Sequence, residues 1–575
     1  MIFKTKDNKL FERLFDTETN EVTFKPFKPT YEVFTKSPQN KKTDYKFILS
    51  QDKYLQKHNF LNHKEMNDFI KTKETLNQEI FGKSNDIYTH IRNNYFKEQE
   101  QFTSRIWYLD IEAVPPPGAG FPDPTEAKWP VNAIQIYDNF TNGKIILVID
   151  NVKDPVAFKE KHPDVTLKVC HTEENLFEVF FKLMDHMKPA ILTAWNGEYF
   201  DFPYLTNRAK NLSGVNHRKL SPVGAVSEKD GFGGNKIVSW GGVYLIDMME
   251  AYKQFTYTTQ TSYALDNIAK VELGEGSGKV DYGEFDNIAE FFLGDYDKFI
   301  SYAVKDIEIL YELDMKLNLM ELMRTLAYMM GINYDDTFGT VKPWGMYLTN
   351  LAYYRGLIMP KDEMHTLNKG VIGGYVADPQ KGMHKWEASI DVNSMYPLLG
   401  MKAHNMSAET YIPEERLHPE LLALRNKYQR DEDETKFLDE KVMDEIEPIC
   451  KKHNVSFGIN AFFKNDKLGI IPEVIDTIYS DRKIAKQKML KYKTMGSRIK
   501  QHIKDGINAD GSSSDFNWNL ETIEDNSISF DELYAVNLNS LTIDKANELV
   551  SVCSKKEAYW NANQMALKIS MNSLN

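Results

Sequence analysis

The segment WYLDIEAV sets Asp110 and Glu112 two residues apart in a strand-like stretch, so both carboxylates face one side while Leu109 and Ile111 face the other. Two carboxylates on a buried face repel each other unless a cation sits between them, and a divalent metal is the natural candidate. A half-exposed strand with two solvated acids has the same local pattern. Two further segments shift the balance toward a metal. In AWNGEYFDFPYL, Asp201 follows a strand ending at Trp195 and lies just before a helix start marked by Pro203. In YAVKDIEIL, Tyr302 and Asp306 are four apart and share a helix face. One phenol and four carboxylates can close around two metal ions about 3.5–4 Å apart, a pair that clamps a phosphodiester and activates a water.

The remaining chemistry is sparser. Asp391 in SIDVNSMYPLL stands at a predicted strand end before a turn, and by itself is only a turn residue. Arg482 and Lys486 are four apart on a predicted helix in which every charged residue from Arg482 to Lys504 is basic. Such a pair suits a polyphosphate, although the other lysines circle the helix as a solvated face would. GEGSGKV, Gly274 to Val280, has one residue too few between its glycines for a phosphate-binding loop, and Val280 replaces the Ser or Thr. It reads as a flexible surface turn. Cys170, Cys450 and Cys553 are far apart with no CxxC or His-rich cluster, so buried free thiols are expected and neither a disulfide framework nor a cysteine zinc site is suggested.

The elements that must carry these residues form a mixed pattern. At 575 residues several domains are expected. Residues 1 to about 100 read as a small mixed domain. From Arg105, RIWYLDIEAV is a strand halted by Pro115, and VNAIQIYD and KIILVID are two more. TEENLFEVFFKLMDHM has helical periodicity, AILTAW is a strand and PYLTNRAKNL a helix, which describes an α/β or α+β domain to about residue 340. VIGGYV precedes a predicted strand WEASIDV; a charged stretch around RDEDETKFLDEKVMDEIE is a solvated helix face; a long helix follows GIIP. The closing QMALKISMNSLN continues a helical pattern through Trp560, Leu567 and Met571 with no glycine cap. The formal charge of -13 excludes an evenly basic chain, but a nucleic-acid enzyme needs only a local basic stripe beside acidic ligands. With no secretory core in MIFKTKDNKLF and no membrane-length apolar run, a cytoplasmic protein without membrane partners is expected.

DIE, NGEYFD and Tyr302-x-x-x-Asp306 resemble, in order and spacing, the three exonuclease motifs of family B DNA polymerases, and the surrounding sequence is most similar to the replicative group of T-even-type tailed phages. The resemblance implies a multidomain α+β fold: an N-terminal domain (1–103 with 340–372), an RNase H-like 3′-to-5′ exonuclease domain (104–339), the first part of a palm (373–466) and helical fingers (467–575), with no thumb. It makes Asp110, Glu112, Asp201 and Asp306 metal ligands, with Tyr302 orienting the attacking water. KDGFGGNKIVSWGG corresponds to the family's β-hairpin, or else is an ordinary surface hairpin. In SIDVNSMYPLL it makes Asp391 and Val392 metal ligands, Ser394 and Met395 a triphosphate seat, and Tyr396 the residue that excludes a ribose 2′-hydroxyl. Gly373, Gly374 and Tyr375 would touch template DNA. Arg482, Lys486, Lys568 and Asn572 would grip the incoming nucleotide.

Lys568-Ile-Ser-Met-Asn572-Ser573-Leu574 resembles the family's second polymerase motif, Asn575 stands where that motif has Tyr, and no Asp-Thr-Asp segment carries the second polymerase aspartate. The expectation is therefore an N-terminal subunit of a split replicative polymerase with proofreading, using Mg²⁺ or alternatively Mn²⁺. Its expected partners are primer-template DNA, deoxynucleoside triphosphates and a second polypeptide bearing the rest of the palm and the thumb, with a sliding clamp as a further candidate. An intein-interrupted gene and a truncated product also fit the chain end. The rival readings are a stand-alone 3′-to-5′ exonuclease with a polymerase remnant and a non-catalytic DNA-binding module.

Overall fold

The computed structural model describes the chain except residues 1, 6–8, 17, 20, 83–84, 97–103, 117–118, 150–159, 161, 232–235, 257–258, 281–282, 286–287, 362–377, 391–394, 429–439, 459–460, 505–542 and 574–575. It divides into two compact units, Met1–Phe47 with Asp52–Asp362 and Ile48–Gln51 with Glu363–Asn575. Among the described residues no helix is long and apolar enough to cross a membrane.

The first unit is organised around a six-stranded mixed sheet made of β1 (Ile106–Ala113), β2 (Val131–Asp138), β3 (Gly143–Ile149), β4 (Val165–Cys170), β5 (Ile191–Ala194) and β6 (Tyr244–Asp247). Their order is β4-β3-β2-β1-β5-β6. β1, β2 and β3 form an antiparallel meander, whereas β4, β5 and β6 join in parallel. A parallel pair needs a crossover, and helices α1 (Glu173–Met187) and α2 (Asp201–Asn211) supply two of them. Thr172 starts α1 by accepting a hydrogen bond from the Asn175 amide at 3.2 Å.

One face of this sheet is apolar: Leu109 and Ile111 of β1, with Ile134 and Ile136 of β2, pack into a core with Leu176, Phe177 and Phe180 of α1 and Phe202 and Leu205 of α2. The alternation in WYLDIEAV then obliges Tyr108, Asp110 and Glu112 to face the other way. That second face is covered by α4 (Tyr296–Leu317), which contacts β1 and β2. The helix is pinned by the Tyr108 hydroxyl, which donates to Asp314 at 2.6 Å with both groups buried. Tyr108→Phe leaves a buried carboxylate short of a donor and is expected to cost about 1–3 kcal/mol, read as a lower urea midpoint.

Among the described residues the first unit contains two other sheets of three or more strands. Ile2–Lys4, Leu10–Phe15 and Val22–Phe27 form a three-stranded sheet; a five-stranded sheet has the order Leu357–Ile358, Tyr45–Phe47, Ser50–Phe60, Tyr31–Lys36, Ile80–Phe81. The chain thus returns from beyond residue 354 to pair with its own beginning.

In the second unit, α5 (Pro419–Tyr428), α6 (Glu440–His453) and the hairpin Val455–Gly458/Ala461–Lys464 share a small core of Leu421, Leu424, Ile446, Cys450 and Phe462. Two long helices, α7 (Ile470–Lys504) and α8 (Ile543–Ser573), pack along each other. α7 starts inside GIIP rather than after it. Glu409 accepts from the Ile470 amide and Asn405 accepts from the Gly469 amide at 2.8 Å, while Pro472 sits in the first turn, where no amide is needed.

The described part of WEASIDV, Trp386–Ile390, is not a strand: it pairs with no other described strand, and Trp386 has φ +64°. A strand's alternation is stabilised only when a neighbour takes its backbone hydrogen bonds, and Met383, Trp386 and Ile390 are 97%, 99% and 90% exposed.

Candidate metal centre

Asp110 and Glu112 reach the space under α4 from β1, and Asp306 reaches it from α4 itself. One oxygen from each lies within 4.8 Å of the others. Tyr302, one turn before Asp306, hydrogen-bonds it. Asp201 arrives from a third direction, as the first residue of α2 instead of the residue before the helix. The loop that delivers it is tightly drawn: a Cβ on Gly197 would lie 2.7 Å from the Phe202 ring and 2.8 Å from the Ala194 methyl, and the Glu198 amide is held by Asp247 at 3.1 Å.

The local electrostatics favour a cation. Burial, and then the neighbouring charge of Asp306, pushes the Asp110 carboxyl up to about 7. Burial raises Glu112 well above the usual range, with Asp110 and Asp306 adding to it, and raises Asp201 likewise, with Asp110 as the neighbouring charge. Oδ1 of Asp201 and Oδ1 of Asp306 are buried without a hydrogen-bond partner among the described residues. A buried carboxylate oxygen with no donor is costly unless a cation completes it, so this oxygen-only donor set fits hard divalent ions.

A residue missed in the sequence sits at the centre. Lys279 donates from Nζ to Asp306 at 2.6 Å and to the Tyr302 oxygen at 3.1 Å. Burial opposes its charge, yet Asp306, Tyr302 and Asp110 outweigh burial and its pKa is raised. GEGSGKV is therefore more than a flexible surface turn, since its lysine enters the carboxylate cluster. Its end is anchored on α3 (Leu265–Leu273), where Asp266 accepts from the Lys279 amide at 2.8 Å. A Cβ on Gly278 would fall 2.5 Å from the Asp266 carboxylate, so the glycine permits the close approach. No local spacing signals this lysine, because its partners are 23 and 27 residues away.

The other predicted residues lie in the second unit. Asp391, Val392 and Ser394, with Gly373, Gly374 and Tyr375, lie outside the described residues. Met395 and Tyr396 are exposed at the start of the helical turn Tyr396–Lys402, which packs against α7 with Lys402 ion-paired to Asp476. Arg482 is half-buried and Lys486 exposed on α7. Lys568 and Asn572 are in the last turns of α8. In the first unit, Val226–Asp230 and Lys236–Trp240 pair as an antiparallel hairpin whose tip, 232–235, lies outside the described residues.

Residues 43–268 match the model for the exonuclease domain of DNA polymerase family B, and residues 344–506 match the DNA polymerase family B model. The chain is 25% identical to the DNA-directed DNA polymerase of Escherichia phage RB69 over 98% of its own length and 61% of that protein's. It is 24% identical to the DNA-directed DNA polymerase of Enterobacteria phage T4 over 99% of its length and 62% of the relative's. A DNA polymerase of Pyrococcus glycovorans is 24% identical over 61% of this chain. The chain thus spans about three fifths of the length of its phage relatives.

Proposed function

This chain belongs to the family B DNA polymerases, and we propose that it is the proofreading-bearing N-terminal part of a split replicative enzyme. In this reading it removes nucleotides from the 3′ end of a primer by itself and polymerises only when a second polypeptide supplies the remaining palm and thumb. The observation that carries the exonuclease is the convergence of Asp110, Glu112 and Asp306, with orphaned carboxylate oxygens on Asp201 and Asp306. These four would hold Mg²⁺ or Mn²⁺, which when bound supplies the positive charge that phosphodiester hydrolysis requires.

The chain's own residues do the rest. Lys279 keeps the carboxylates from repelling one another and adds positive charge where an anionic phosphate must approach. Tyr302 has a pKa raised by burial and by Asp306, so it remains a neutral phenol able to orient a water. The hairpin Val226–Trp240 would guide the primer end. Residues 104–339 would be the RNase H-like exonuclease domain, 1–103 with 340–372 the N-terminal domain, 373–466 the start of the palm and 467–575 the fingers. There Asp391 and Val392 would hold metal, Ser394, Met395, Arg482, Lys486 and Lys568 would seat the triphosphate, Asn572 would lie against the nascent base pair, and Tyr396 would exclude a 2′-hydroxyl.

The exposed Met383, Trp386 and Ile390 favour a completing chain over a stand-alone exonuclease. Their segment has strand-forming alternation but lacks a strand partner among the described residues. A 5′-labelled primer-template incubated with the chain and Mg²⁺, with and without all four deoxynucleotides, tests both parts. Shortening from the 3′ end is expected in both lanes. Absence of shortening overturns the exonuclease; primer extension by the chain alone overturns the need for a partner.

A further inference from the structure

A second cluster of ligand-bearing side chains lies in the second unit. His418 immediately precedes α5, Glu420 is in its first turn, and His453 is the last residue of α6. One donor atom from each lies within 4.8 Å of the other two. The imidazole rings are 4.4 Å apart, and His453 Nε2 is 2.7 Å from Glu420 Oε2. The backbones beneath them are held by the core of Leu421, Leu424, Ile446 and Cys450.

We propose that His418, Glu420 and His453 form a zinc-class metal site that ties the start of α5 to the end of α6. Two imidazoles and one carboxylate favour a borderline transition-metal ion over the hard ions suited to the oxygen-only cluster under α4. Ligands at tetrahedral zinc stand about 3.3 Å apart. The three donors therefore need only side-chain adjustment, which the exposed His418 allows. Its Nδ1 accepts one long bond from the Glu420 amide, 3.3 Å, which ligation can replace. The competing cation is Lys452, whose Nζ is 2.7 Å from Glu420 on a side chain that is 63% exposed and can swing into water. Three protein ligands leave one position for water. The cluster joins two helix ends, so a bound ion would tie the start of α5 to the end of α6.

The test uses the full chain without a polyhistidine tag, stripped with chelator, dialysed and titrated with Co²⁺ while its visible absorption is followed. One equivalent is expected to develop ligand-field bands that Zn²⁺ removes. His453→Ala and His418→Asn are expected to abolish the bands, whereas Asp306→Asn leaves them intact. Lys452→Gln, which removes a surface cation and spares the fold, is expected to tighten binding several-fold. Absence of bands, bands indifferent to His453→Ala, or bands lost with Asp306→Asn would each overturn the assignment. This inference does not depend on the polymerase reading.

Discussion

Asp306→Asn is expected to slow 3′-to-5′ degradation of a labelled primer by about 1,000-fold, by analogy with loss of a single preorganised charge-stabilising group in other active sites. The side chain is 1% exposed, one of its oxygens is held by Lys279 at 2.6 Å, and the other has no hydrogen-bond partner among the described residues. The amide keeps the volume, and its oxygen still accepts from Lys279. What it loses is the negative charge that a divalent cation requires. DNA affinity, measured by fluorescence anisotropy in Ca²⁺ at fixed salt, should be unchanged, since it depends on basic surfaces that meet phosphate. Equal loss of binding and cleavage would remove Asp306 from the proposed metal site.

Lys279→Met should lower exonuclease activity by about 10–100-fold, the scale of losing a group that supports ligands without being one. It also makes a pH-dependent prediction for the metal-free protein. Asp110 is raised to about 7 by burial and by Asp306, so between about pH 4 and 7 the folded state binds more protons than the unfolded one. Its contribution to stability is present below about pH 4 and is lost as the pH rises through 7. Glu112 and Asp201 are raised in the same direction. In chelator, the urea midpoint should therefore be lower at pH 8 than at pH 5. Lys279 stays charged over that range and offsets part of the repulsion, so its removal should deepen the fall at pH 8 and have little effect at pH 5. An unchanged pH dependence in the variant would mean that Lys279 does not balance this cluster.

Residue types and local periods determined a good part of the site. A two-residue period in WYLDIEAV was enough to place Asp110 and Glu112 on one face and Leu109 and Ile111 in the core, because strand alternation is a property of the backbone. A four-residue separation was enough to join Tyr302 to Asp306 on α4, because helix geometry is equally local.

Tertiary structure decided what local periods cannot encode. Lys279 and the trio of His418, Glu420 and His453 come together only because loops and helices return to the same place, 23 to 35 residues later in the chain. The described part of WEASIDV, Trp386–Ile390, departs from the strand expectation for a related reason: its composition favours a strand, but a strand is a pairing between segments, and alternation in one segment cannot supply the other's backbone. By itself the sequence determined which carboxylates share a face; the fold decided which cation meets them, since that contact depends on distances through space.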